Sequence, residues 1–258
     1  MHDDTGTPSA GDGAPAAPRA GAAAAAPRTD AWGQPIGPAL PDWTPREAPA
    51  RAAMQGLHCR LEPLDPGRHA DALHAAYAES PDDRDWTYLS SGPFADADAY
   101  RAWAAQAAAS RDPLHFAILD AGGDRALGTL SLMRIDRANG TAEIGFVAYS
   151  RRLQRTPAGT EAVALLMRHV FDGLGYRRLE WKCDTLNAPS RAAALRYGFA
   201  FEGVFRQAVV YKGRSRDTAW FALTDADWPA ARAAFARWLA PENFDAAGRQ
   251  RARLQDLR

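Results

Sequence analysis

"TAEIGFVAYSRRLQRTPAGTEAVALLMRHVFDGLG", Thr141 to Gly175, changes its periodicity half-way, and that change decides how the chain is read. Up to Ser150 the residues suit a strand. From Val163 onward Val163, Leu166, Met167, Val170 and Leu174 recur at helical spacing, and Gly173 and Gly175 supply a stop. Between the two lies "LQRTPAGTEA", Leu153 to Ala162. If Thr156 caps the helix and Pro157 takes its first position, the missing proline N–H costs nothing, because that group has no helical partner. The amides of Ala158, Gly159 and Thr160 then point outward at the positive end of the helix dipole. Such an arrangement suits an anion, and Gly159 has no side chain to keep a phosphate at a distance. An ordinary capped helix start accounts for the same residues without a ligand. GxxxxGK[ST] and a strand-linked GxGxxG are both absent, so neither nucleotide fingerprint applies.

Outward from this stretch the pattern continues. "RRLEWKCD", Arg177–Asp184, alternates Leu179, Trp181 and Cys183 against Arg178, Glu180 and Lys182 as a strand does, and "NAPSRAAALRYG", Asn187–Gly198, is a helix closed by Gly198. Phe201–Leu223 reads as a hairpin turning at Lys212–Ser215, followed by a last helix over 226–240. On the N-terminal side, Leu57–Leu64 alternates as a short strand and Pro66–Ser80 is an amphipathic helix. A polar, aromatic loop leads to a helix over 95–110, then two strands, "PLHFAILD" and "RALGTLSLMRI", set off by Gly-Gly and Asn-Gly turns. The order β–α–α–β–β–β–α–β–α–β–β defines a mixed α/β layer structure. Residues 1–30, rich in Ala, Pro and Gly, are expected to be a disordered tail, and 31–56 an extended Pro-rich arm carrying Trp32, Ile36, Leu40 and Trp43. The domain proper spans 57–225, with a C-terminal helix and tail over 226–258.

Composition narrows the function classes. A chain of 258 residues, 47% apolar and 24% charged, can bury a full core, and its 31 basic and 31 acidic side chains balance. No global basic field is available for nucleic acid or an anionic membrane. No apolar run reaches the roughly 18 residues a bilayer span needs, and the acidic "MHDD" start does not suit a signal peptide. Cys59 and Cys183 stand alone, the six histidines form no HExxH, and no metal is expected. A reducing cytoplasm fits these residues.

The segment from Glu143 to Gly203 resembles the GNAT superfamily of acyl-CoA-dependent N-acetyltransferases, in particular the branch that modifies ribosomal-protein N-termini (Rim-type). The likeness covers roughly residues 57–225. It implies the acyl-CoA N-acyltransferase fold, a mixed and mostly antiparallel sheet flanked by helices, with acetyl-CoA as co-substrate and an amine acceptor, in a monomer or homodimer. In that family the loop reads Gln/Arg-x-x-Gly-x-Gly/Ala and cradles the pyrophosphate of coenzyme A. Here Gln154 and Gly159 match while Pro157 replaces the middle glycine, so neighbouring amides and Arg151, Arg152 or Arg155 must compensate. Asn187, Ser190, Gly198 and Phe199 match the segment that holds the pantetheine arm.

Transfer of an acetyl group from a thioester to an amine needs a base, stabilisation of an oxyanion, and a proton for the departing thiolate. The resemblance puts Glu143 on a strand that splays to admit the thioester, where it would accept the amine proton through water; a solvated strand glutamate is an equal reading. The N–H groups of Phe146 and Val147 would face the acyl carbonyl if the strand bulges there. Ser190 either donates to the thiolate or bonds locally at its helix start, and the tyrosine several relatives use as acid corresponds here to Ala194. Asn187 reads as a helix cap compatible with a coenzyme contact, Asp184 as a cap or orienting group, and Cys183 as a buried thiol with an acyl-enzyme as the lesser reading. Asp85, Trp86 and Tyr88 are candidates for the acceptor wall. With Gln154, Arg155, Thr156, Ala158, Gly159 and Thr160 in the coenzyme loop, the expected function is N-acetylation of a protein N-terminus or small-molecule amine. The rival is a non-catalytic acyl-CoA-binding module.

Overall fold

The computed structural model describes residues 28–123 and 125–258. They belong to two compact units, one ending at Pro41 and one running from Asp42 to Arg258. In the first, β1 (Arg28–Thr29) and β2 (Pro35–Ile36) form a small hairpin whose turn is held by Asp30, its Oδ1 accepting from the amides of Trp32 and Gln34. Trp32, Ile36 and Leu40, three of the four side chains read as anchors of an arm, are largely exposed. Residues 1–27, most of the stretch expected to be disordered, lie outside the described residues.

The second unit contains β3 (Met54–Gln55), β4 (Cys59–Pro63), α1 (Pro66–Ala78), α2 (Ala97–Ala109), β5 (Leu114–Asp120), β6 (Ala126–Asp136), β7 (Thr141–Tyr149), α3 (Pro157–Arg168), β8 (Arg178–Asp184), α4 (Ala188–Tyr197), β9 (Ala200–Tyr211), β10 (Arg214–Thr224) and α5 (Trp228–Leu239). Local chemistry sets the helix starts. Asp65 accepts from the amides of Gly67 and Arg68 ahead of α1, with Pro66 at its first position, and Asp96 accepts from Ala99 at the start of α2. Gly198, at φ +105°, ends α4 where a side chain would be strained. The hairpin turn tightens to Lys212–Gly213, two residues at φ +48° and +70°, because such a turn matches the twist of the paired strands.

Eight strands form one sheet in the order β3-β4-β5-β6-β7-β8-β10-β9, antiparallel throughout except where β7 and β8 run parallel through the α3 crossover. This is the mixed, mostly antiparallel sheet expected. Its two faces are both covered, which explains the unbroken apolar run of β5. Phe116 and Ile118 join the core beneath α3 and α5, while Ala117 and Leu119 join a second core with Leu73 of α1 and Tyr100 and Ala104 of α2. Glu161, buried in α3, accepts from the amides of Leu57, His58 and Cys59 at 2.8, 2.6 and 2.9 Å, which ties this helix to the β3–β4 turn. Trp43 donates its indole N–H to Ala138 O at 2.8 Å and lies under Gly140, where a Cβ would meet its ring at 2.6 Å. Among the described residues no helix is long and apolar enough to cross a membrane.

Candidate active site

The site opens where two strands part. β7 and β8 pair through four residue couples, Thr141↔Arg178 to Ile144↔Trp181, and no further. Beyond that point β7 is bulged against β6: Gly145 pairs with Ser131 and Ala148 with Thr129, so Phe146 and Val147 together oppose Leu130, and Phe146 takes φ +49°. Two residues against one leave an N–H outside the ladder. The carbonyls on either side are held, Gly145 O by the Ser131 hydroxyl at 3.0 Å and Ala148 O by the Tyr77 hydroxyl at 3.1 Å. The parting leads into a cleft of about 1420 Å³ lined by both strands, the loop before α3, the start of α4 and the loop between α1 and α2. The structure brings together there Glu143, Phe146, Val147, Gln154, Arg155, Thr156, Gly159, Thr160, Asn187, Ser190, Asp85, Trp86 and Tyr88, whereas Arg152, Ala158, Gly198 and Phe199, also singled out in the sequence, do not line it.

The loop before α3 follows the expected geometry at its cap and departs from it at its amides. Thr156 caps the helix, accepting from Gly159 N at 3.1 Å while its hydroxyl donates to Leu153 O, and Pro157 occupies the first turn. Gly159 N is therefore taken by the cap, and Thr160 N bonds Thr156 O at 3.3 Å, so two of the three amides read as phosphate donors are satisfied internally. The amides of Arg155 and Thr156 have no acceptor among the described residues. Gly159 is also required for a different reason than ligand approach: a Cβ would stand 2.7 Å from Leu153 O and 3.1 Å from the Tyr149 ring, whose hydroxyl donates to Gly159 O. Gln154 shapes the loop through Nε2–H to Tyr149 O at 3.0 Å. Two of the three arginines expected to compensate are paired with acids, Arg151 with Asp85 at 3.3 Å and Arg152 with Glu79 at 2.6 Å.

Glu143 is buried at the mouth of the parting and is no solvated surface acid. Its Oε2 accepts from Lys182 Nζ at 2.8 Å and faces Arg134 Nε at 3.5 Å, while Lys182 also meets Glu180 Oε2 at 2.6 Å and lies 3.7 Å over the Trp220 ring. Burial pushes the Glu143 carboxyl above the usual carboxylate range, and Lys182 and Arg134 only partly pull it back. Both cations sit on Oε2, so Oε1 has no donor among the described residues. Ser190 accepts from the Trp181 indole N–H at 2.9 Å, which leaves its own O–H to donate. Asn187 caps α4, accepting from Ser190 N at 3.1 Å, and Asp184 accepts from Leu186 N and the Tyr211 hydroxyl, each at 2.9 Å. Cys183 is buried, and burial raises its thiol against the help of Ser190, the opposite of an activated nucleophile.

The loop opposite is stitched in place from several sides. Trp86 stands edge-on to Tyr77 and Phe94, with Gly92 leaving room for its ring. The Tyr88 hydroxyl donates to Leu186 O at 3.1 Å, Lys212 Nζ donates to Trp86 O at 2.8 Å, and Arg214 reaches Thr87 O from the tip of the β9–β10 hairpin. Sequence reading missed Lys182, Arg134 and Arg196. Lys182 had one available signal, since only Lys182 and Lys212 are lysines among the 31 basic residues. Arg196, at the end of α4, donates from Nη1 to Thr160 Oγ1 at 3.1 Å and lies 4.8 Å from the centre of the Trp238 ring.

Comparison with known proteins bears on this geometry. The sequence model of the acetyltransferase (GNAT) domain matches residues 58–200. A crystal structure of a GCN5-related N-acetyltransferase from Brucella melitensis superposes with a TM-score of 0.83 at 48% identity, covering 84% of this chain and 99% of that one. The uncharacterized N-acetyltransferase p20 of Bacillus licheniformis is 33% identical over 108 residues, 42% of this chain and 60% of its own length. The ribosomal-protein-serine acetyltransferase of Escherichia coli (strain K12) is 35% identical over 85 residues, 33% of this chain and 47% of its own length. The chain thus spans about half to three-fifths of the length of these two curated relatives.

Proposed function

The chain belongs to the GNAT acetyltransferase family, and from that premise we propose that it transfers acetyl from acetyl-CoA to a primary amine by direct attack on the thioester. The observation that carries the reading is the parting of β7 from β8 beside a bulge, with a buried glutamate at its mouth. The residues fit the co-substrate: an extended cleft would admit its arm, the loop before α3 has amides to offer its phosphates, and the N–H freed by the bulge at Phe146–Val147 would stabilise the charge that the acyl oxygen gains. Acetyl-CoA supplies an activated acyl group and a thiolate leaving group. Glu143 accepts the proton of the attacking ammonium-derived nitrogen through water at Oε1, while Lys182 and Arg134 hold Oε2. Ser190 donates its hydroxyl proton toward the departing sulfur.

The acceptor is the amine of a protein N-terminus or of a small molecule. The E. coli relative is named for a ribosomal-protein serine, which supports the first. Asp85, Trp86 and Tyr88 form its wall in this reading. Pro157 and alanine at position 194 are the departures from the family pattern that would suit the non-catalytic alternative. Pro157 occupies an ordinary first helical turn and the Ser190 O–H is a donor at the cleft, so neither favours it. Thiol release from acetyl-CoA, measured across a panel of N-terminal peptides and small amines, tests the proposal. Release with at least one amine is expected; binding of acetyl-CoA without release for any of them would sink it.

A further inference from the structure

We infer that Arg196, at the C-terminal end of α4, is the cation that binds the pyrophosphate of acyl-CoA, held in place by Trp238 of α5. This rests on the acyl-CoA reading above and adds to it a site built from three separate elements. Arg196 is half-buried and lines the cleft. Its Nη1 donates to Thr160 Oγ1 in the first turn of α3, and its guanidinium lies 4.8 Å from the Trp238 ring centre and 5.5 Å from that of Tyr197. Trp238 is fixed in turn by its indole N–H, which donates to Gln250 Oε1 at 2.9 Å. A flat guanidinium placed against aromatic rings keeps its remaining N–H groups in one plane, which suits two oxygens of one anion.

Charge gives the second strand of the argument. Arg151 and Arg152, nearer in sequence to the loop, are paired with Asp85 and Glu79, whereas no carboxylate among the described residues pairs with Arg196. The charged and titratable groups facing it are Tyr197 and Tyr149, both neutral at ordinary pH. A part-buried cation without an acid stabilises an anion that arrives more than a paired one does. The need for it follows from the helix start: Pro157 has no N–H, and Gly159 N and Thr160 N are satisfied internally, so the amides of α3 alone make a poor cradle. Because Arg196 bonds the first turn of α3, the phosphates it meets are those at that turn.

Calorimetric affinities of CoA, 3′-dephospho-CoA and phosphate-free pantetheine for the full-length protein and its Arg196→Met and Arg196→Lys variants test this. Arg196→Met should bind CoA and 3′-dephospho-CoA roughly tenfold or more weakly, the range expected for a charge-assisted hydrogen bond, with pantetheine affinity unchanged. Arg196→Lys should recover part of the loss. An equal loss for pantetheine would show a merely structural role, and loss for CoA alone would place Arg196 on the 3′-phosphate; either overturns the assignment. Unchanged affinity for all three overturns it too, whereas failure of the wild-type protein to bind CoA would instead remove the acyl-CoA reading. A thermal melt of each variant confirms that it is folded before affinity is compared.

Discussion

Glu143 shows what burial does to a single side chain. On a sequence it is one acidic residue in a strand; in the fold it lies below the surface with two cations on one oxygen, and its carboxyl is raised. Its conjugate-base form is therefore lost at a higher pH than that of a free glutamate, so the acid limb of kcat/KM should fall above the ordinary carboxylate range. Glu143→Gln should lower turnover on the order of 10²-fold near neutral pH and recover toward alkaline pH, where the amine loses its proton unaided. A loss that is flat across the pH profile would assign Glu143 to binding or structure. The strand pattern placed this residue in the sequence, and the resemblance to the family singled it out. Its partners were not legible, because Lys182 and Arg134 reach it across strands from positions 39 and 9 residues away, and register is a property of the sheet.

At the scale of elements, the strand–loop–helix unit from β7 to α3 was readable almost residue by residue, since capping, proline position and helical spacing are local rules. The packing reason for Gly159 was not legible: local rules see its missing side chain, and only tertiary contact shows Leu153 O and the Tyr149 ring in the space a Cβ would take. Gly159→Ala should accordingly cost about 1–3 kcal/mol in denaturant unfolding, and a charged Gly159→Asp more, so neither is a clean probe of coenzyme binding. The hairpin offers a cleaner separation. Lys212 and Arg214 hold the carbonyls of Trp86 and Thr87, well away from the start of α3. Replacing both by alanine should raise KM for the amine several-fold in steady-state assays and leave acetyl-CoA affinity unchanged. The aromatic loop itself was singled out by composition alone; its bonds to Leu186 and to the hairpin depend on residues 98 and 126 positions downstream in sequence.

For the whole molecule, stability toward acid is set partly by His115. Its ring lies between Trp103 and Phe146 with Nδ1 unpartnered, and burial, aided by the charge of Arg51, depresses its pKa from 6.5 to about 4. Between these values the unfolded chain binds the proton and the folded one does not, so stability falls as pH falls through that window, by about 3 kcal/mol in all. His115→Phe should flatten melting temperature against pH over the same range; an unaltered slope would assign the acid sensitivity to other groups. Layer architecture was legible because two-sided burial leaves unbroken apolar strands, yet the order of eight strands depends on pairings that no local pattern encodes. One consequence of the four-rung pairing of β7 with β8 concerns motion. The sheet amounts to two leaves, β3 to β7 and β8 to β10, hinged along Thr141–Ile144, and the backbone groups beyond the hinge on the facing edges were never bonded to each other. An extended ligand carrying amides of its own would act there as a missing strand. Hydrogen exchange at Val147–Tyr149 and Cys183–Asp184 should slow when acetyl-CoA is added, and the two leaves should then breathe as one.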